Sequence, residues 1–207
     1  MGDEPEDGGG SLASEHGAGP HDGGRAAILQ RRVRRRPRHA PHGLEPPGRL
    51  RGYDPRVGYG QARLRRLNDA RIAGGGDYVL YWMQIYRRLE RNHALDYALR
   101  CAGEIGKPLV VYEGLRIDYP WASRRHHRFV LEGMQANAAR AAELGLSYWP
   151  FVETEKGKGH GLLRRLSKRA SLVVTDDFPC FIVPAQAQAL ARKVEVPVFA
   201  VDSNSVV

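Results

Sequence analysis

Apolar runs alternate with amphipathic helical stretches from Asp77 to the C-terminus. The pattern predicts an α/β fold, a doubly wound five-stranded parallel sheet with helices on both faces. Three observations carry that reading. The runs DYVLYWM, PLVVY, SLVVT and PVFAV are apolar on successive residues, as strands covered on both faces are. The stretches between them place apolar residues three and four apart. The chain has 207 residues, 42% of them hydrophobic, which suits one domain of ordinary size with chain to spare.

The first strand is Asp77–Met83, with glycines 74–76 before it. A polar connection, QIYRRLER, leads to Asn92, a good N-cap for HALDYALRCAGEIG. Ala94, Leu95, Ala98, Leu99, Ala102 and Ile105 form one face of that helix, and Gly106 stops it. Pro108–Tyr112 is the second strand. A long helix follows around Ser123–Glu143, ended by Gly145. Leu146–Val152 is the third strand, and Pro150 places it near an edge. Leu162–Arg169 is a short basic helix, Ser171–Thr175 the fourth strand, Pro184–Lys193 a further helix and Pro197–Val201 the fifth strand. Right-handed crossovers make such a chain Rossmann-like, with the common strand order 3-2-1-4-5. Ligands then sit where the order reverses, between the first and fourth strands. The residues leaving those strands, Met83, Gln84, Asp176, Asp177 and Phe178, are the candidate cofactor-binding residues.

Charge divides the chain. Residues 1–24 hold six acids and no Lys or Arg, while residues 25–66 hold thirteen arginines against Glu45 and Asp54. Residues 1–61, rich in Gly, Pro, His and Arg, show no apolar period and read as a disordered tail, acidic and then Arg-rich. The folded part is residues 62–207. The run Gln30–His39 (QRRVRRRPRH) could contact nucleic-acid phosphates weakly or be a solvated basic tail. No aromatics interleave to stack on bases. No apolar stretch reaches the roughly 18 residues of a membrane span, and the acidic start lacks a secretory h-region. Two cysteines, Cys101 and Cys180, fit a reducing cytoplasm better than a disulfide scaffold.

Several features admit a sharp and a bland reading. Glu155–Leu163 (EKGKGHGLL) sets glycines and Lys158 before a helix and could hold an anion, or be a plain loop. Asp176–Asp177 suits a cap or turn better than a metal, because no further acid or His cluster accompanies it. His126 and His127 point about 100° apart on a helix and do not share a metal. Cys101 lies on an apolar helix face as a small core residue, and Cys180 lies in a loop. Trp82 and Tyr81 are core aromatics or ligand contacts. There is no GxxxxGK[ST] and no glycine fingerprint after a strand.

The segment YWMQIYRRLERNHALDYAL, with Trp82, Arg88 and Asn92-x-Ala94-Leu95, resembles the first strand-to-helix connection of the photolyase/cryptochrome family. Its form is similar to the class II cyclobutane pyrimidine dimer photolyases. Four further segments agree in order: RLRRLND (Arg63–Asp69), KPLVVYEGL (Lys107–Leu115), RRHHRFVLEGM (Arg124–Met134) and SLVVTDDFPCFIVP (Ser171–Pro184). WMQIYRR stands where class I members carry a WFRRDLR-like run, so class I antenna contacts do not transfer.

The resemblance implies the N-terminal α/β domain of a DNA-repair enzyme, a carbon–carbon lyase that splits pyrimidine dimers with light. The resemblance implies that this domain can hold an antenna chromophore, which in class II relatives is often a deazaflavin or absent. A helical C-terminal domain binds FAD and the flipped dimer in UV-damaged DNA. The expectation is that this helical domain is absent from the chain. No catalytic or metal residues are then assigned, Arg88 and Asn92 serve as a salt bridge and a helix cap, and the chain alone does not repair DNA. Two other readings stay open: a free-standing nucleotide-binding Rossmann-like protein, and a basic nucleic-acid module acting through its tail.

Overall fold

The computed structural model describes residues 63–204. Ten elements follow in order: β1 (Leu64–Arg66), β2 (Tyr78–Met83), α1 (His93–Ile105), β3 (Leu109–Leu115), α2 (Arg124–Leu144), β4 (Ser147–Val152), α3 (Leu162–Ser167), β5 (Ala170–Asp177), α4 (Val183–Ala191) and β6 (Val198–Asp202). The sheet order is β1-β6-β5-β2-β3-β4. Strands β2 to β6 are all parallel, in the expected order with the reversal between β2 and β5. The fold class is therefore the expected doubly wound α/β.

The strand count differs. A sixth strand, β1, pairs antiparallel with β6 at the sheet edge. At three residues it is too short to show a period of two, so nothing in its composition marks it as a strand. Asn68 fastens the chain behind it: its Nδ2 donates to the Ala191 and Val196 carbonyls, and its Oδ1 accepts from the Val198 amide. The predicted disordered tail, residues 1–61, lies outside the described residues.

One face of the sheet is covered by α1 and α2. Ala94, Leu95, Ala98 and Ala102 of α1 pack on Val79, Tyr81, Val111 and Val174. On the other face Leu166 of α3 and Leu190 of α4 pack on Leu80, Val173 and Val198. Each such fully buried aliphatic stabilises by about 1.5–3 kcal/mol. Asn92 caps α1, with its side chain accepting from the Leu95 amide, and Gly106 ends it in the left-handed region. Ser123 and Gly145 do the same for α2. Gly76 lets the start of β2 approach β5, because a Cβ there would lie 2.4 Å from the Ser171 amide nitrogen. No helix among the described residues is long and apolar enough to cross a membrane.

Candidate functional site

The chain leaving β2 is held by one carboxylate. Asp176, at the end of β5, is fully buried. Its Oδ1 accepts from the Tyr81 hydroxyl at 2.7 Å, and its Oδ2 accepts from the amides of Gln84, Ile85 and Tyr86 at 2.9, 2.7 and 3.1 Å. Burial pushes this carboxyl above its ordinary value, opposed first by the Ile85 amide. Burial, with Asp176 alongside, pushes the Tyr81 phenol well up, so it stays a hydroxyl. Asn92 completes the turn, its Nδ2 lying within hydrogen-bond reach of the Tyr81 hydroxyl and the Tyr86 and Arg88 carbonyls. Asn92 is the helix cap that the sequence predicts. Arg88 makes no salt bridge among the described residues: it donates to the Arg91 carbonyl and lies over the Tyr86 ring.

Two buried acids that sequence reasoning passed over shape the neighbouring loops. Glu113, fully buried on β3, accepts from Arg87 at 2.9 Å, from Asn137 of α2 at 3.1 Å and from the Tyr148 hydroxyl of β4. Arg87 also donates to the Gln84 and Gly114 carbonyls, tying the turn to the end of β3. Glu153 accepts from the amides of Gly157, Gly159 and Ile117. Those amides serve a carboxylate of the chain itself, so the glycine loop is not free to cradle an anion through them. Lys158 pairs with Glu155. The signal that could have found them is an acid inside an apolar run, as in LVVYEGL; an uncompensated charge there costs too much to be incidental.

Over the carboxyl ends of β2 and β3 lies a half-open groove made of two joined hollows, about 210 and about 390 Å³. They share Trp82, Gly114, Leu115, Arg116 and Gln186. Met83 and Gln84 line the smaller hollow. Asp176, Asp177 and Phe178 line neither. The Asp176 carboxylate is taken up as above, Asp177 makes a bidentate pair with Arg65 at 2.7 and 3.0 Å, and Phe178 packs edge-on against Tyr86. The five candidates thus leave neighbouring strands as expected, but only the two from β2 line the groove.

Gln84 is 8% exposed and has an orphan atom. Thr175 donates its hydroxyl to the Trp82 carbonyl at 2.9 Å and so must accept from Gln84 Nε2 at 2.8 Å. That chain fixes the amide's orientation and leaves Oε1 buried without a partner. A buried unpaired acceptor beside a hollow is free to accept from a donor in that hollow, a water included. At the rim, Trp121 and Phe181 stack 5.5 Å apart, largely exposed. Both hold left-handed backbone, with φ of 65° and 64°, a strained arrangement for side chains of that size.

No family model matches the chain. The chain is 34% identical over 145 residues, 70% of its length, to a deoxyribodipyrimidine photo-lyase of Methanothermobacter thermautotrophicus. The match supports the photolyase family. The alignment spans about a third (32%) of the photolyase relative's own length. A solved structure from the universal stress protein family of Burkholderia pseudomallei covers 59% of this chain and 95% of that one, at 21% identity and a TM-score of 0.36.

FAD, the cofactor that the photolyase resemblance implies, does not fit the described residues. A photoreductant needs to be screened from water, and both hollows are half-open. Among the described residues no group of three or more His, Cys, Asp or Glu could hold a metal. His126 meets the Trp121 carbonyl and His127 the Tyr119 ring. Cys101 is buried, with its thiol pushed up by that burial, and Cys180 is exposed.

Proposed function

We propose that residues 62–207 form the N-terminal α/β domain of a class II cyclobutane pyrimidine dimer photolyase. In this reading they act as a light-harvesting and scaffold domain in DNA repair. The likeness to the Methanothermobacter photo-lyase carries it, together with the motif order from Trp82 through Asn92-x-Ala94-Leu95 to Ser171–Pro184. Splitting of dimers in UV-damaged DNA then depends on a helical FAD-binding domain joined to this one.

The groove over β2 and β3 holds a deazaflavin-type antenna chromophore in this proposal. A chromophore there supplies absorption of light. The chain supplies an aromatic wall, Trp82, and the orphan acceptor Gln84 Oε1, which takes the ring imide N–H. Arg87, immobilised by Glu113, keeps the Gln84 turn in place.

The test has two arms. The purified chain is incubated with dimer-containing DNA, FAD and reductant under light, and dimers are counted. None is split by this chain alone; light-dependent splitting would remove the scaffold reading. In parallel, the chain is made in a host that synthesises deazaflavins. It carries the chromophore's visible absorbance, and Gln84→Leu lowers the bound fraction about tenfold. A colourless wild-type chain would remove the antenna reading.

A further inference from the structure

We propose that the surface carrying α3 and the end of α4 binds the phosphate backbone of duplex nucleic acid, undamaged duplex included. The positive charge of the domain is concentrated there. Residues 156–175 hold six Lys or Arg and no acid, and residues 178–194 hold Arg192, Lys193 and no acid. The remainder of residues 67–207 carries eleven Lys or Arg against fifteen acids, so one surface is cationic and the rest of the domain acidic. The two cationic segments meet in the fold. Helices α3 and α4 pack on the same face of the sheet through Leu166 and Leu190, and Arg164, His160 and Lys193 come together at the cationic end of the groove.

Ion pairs take up three of these cations: Lys156 with Asp118 at 4.0 Å, Lys158 with Glu155, and Arg169 with Asp77. Arg164, Arg165, Lys168, Arg192 and Lys193 are exposed and make no ion pair among the described residues. Like charges gathered on one surface repel one another, and a polyanion laid across them reverses the sign of that interaction. What accompanies the charge selects the polyanion. Helix α3 turns Leu166 into the core and packs Leu162 and Leu163 against it, so it keeps no apolar side chain to insert into a lipid surface. The large exposed apolar side chains, Trp121, Phe129 and Trp149 among them, belong to other segments. No Phe, Tyr or Trp stands within residues 156–175 to stack on a base, which leaves sequence-independent contact with phosphates. This surface needs neither a lesion nor a chromophore, so it stands or falls apart from the antenna reading.

Binding of a labelled undamaged DNA duplex to the purified full chain is followed by fluorescence anisotropy over a range of salt. The Arg-rich stretch before residue 67 is common to every variant. Each phosphate contact contributes about 0.9 to the slope of log affinity against log salt. The Arg164→Gln, Arg165→Gln, Lys168→Gln variant is expected to flatten that slope by about 2–3, and Arg192→Gln, Lys193→Gln by about 1–2, each with a loss of about tenfold or more in affinity at low salt. Arg164→Lys, Arg165→Lys keeps the charge and should keep the wild-type slope. Thermal melting checks that each variant folds, and the α4 pair carries the test if the α3 variant does not. Arg124→Gln, Arg125→Gln, at the exposed start of α2, controls for net charge and should change the slope by less than about 0.5. An unchanged slope in the α3 and α4 variants, or equal flattening by the control, overturns the proposal. So does a wild-type chain that binds phosphatidylserine-rich vesicles and leaves the duplex free.

Discussion

Asp176 is the residue on which the site is built, yet it does not line the groove. Its carboxylate meets three consecutive amides and one hydroxyl, so it orders the turn that presents Gln84. In Asp176→Asn the amide places an N–H against donors and removes the charge. We expect a loss of about 2–4 kcal/mol, read from denaturant midpoints; a change under about 0.5 kcal/mol would contradict the assignment. Tyr112 of the groove and Tyr86 of the turn beside it form a pH-sensitive pair. Burial, with Glu153 nearby, pushes the Tyr112 phenol up to about 12, and burial near Asp202 and Asp176 does the same for Tyr86. An unfolded tyrosine ionises near 10. The stability these two phenols contribute is thus complete below about pH 10 and lost as pH rises towards 12. Denaturation midpoints followed together with tyrosinate absorbance across that window should fall; a flat profile would contradict it.

At the scale of elements, α1 depends on a single side chain at its start. Asn92 caps the helix through Oδ1 and contacts the preceding turn through Nδ2. Asn92→Ala should cost about 2 kcal/mol, at the upper end of cap losses, because both functions go together. Asn92→Asp, which keeps the cap acceptor and loses the donor, should recover part of it; melting of both variants checks the order. The edge strands behave as their composition requires. β4 carries Pro150 and pairs only with β3 among the described residues. β1, with no apolar signal of its own, exists because β6 offers it a ladder and Asn68 closes the end behind it.

For the whole molecule, charge placement separates ion pairs of different weight. Arg65–Asp177 spans β1 and β5 at the surface, with the arginine side chain 48% exposed. Arg65→Ala should shift stability by no more than about 1 kcal/mol, less at high salt. Arg87–Glu113 is inside. Arg87→Ala would leave Glu113 short of its only ion-pair partner among the described residues and should cost about 3–5 kcal/mol. Denaturation of the two variants at low and high salt tests the contrast, and equal losses would refute it. The doubly wound arrangement sets these weights. Glu113 faces the α1 and α2 side of the sheet, where Asn137 and Tyr148 complete its shell, while Asp177 sits where β5 runs out into solvent.

The parallel sheet, its strand order, three of the helix-end residues and the turn from Trp82 to Asn92 are legible in the sequence. They follow from local regularities: apolar runs, spacing of three and four, and residues such as Asn92, Gly106 and Gly145 whose preferences are intrinsic. Tertiary packing sets what the candidate residues do. Asp176 and Gln84 look alike as polar residues at strand ends. One is saturated by the neighbouring turn and the other is left with an unpaired oxygen at a groove, because burial and partner geometry depend on contacts about 90 residues apart in the chain. The cationic end of the groove is equally illegible in the sequence. Arg164 and Lys193 belong to different segments, and only the packing of α3 and α4 on one face of the sheet brings them to the same hollow.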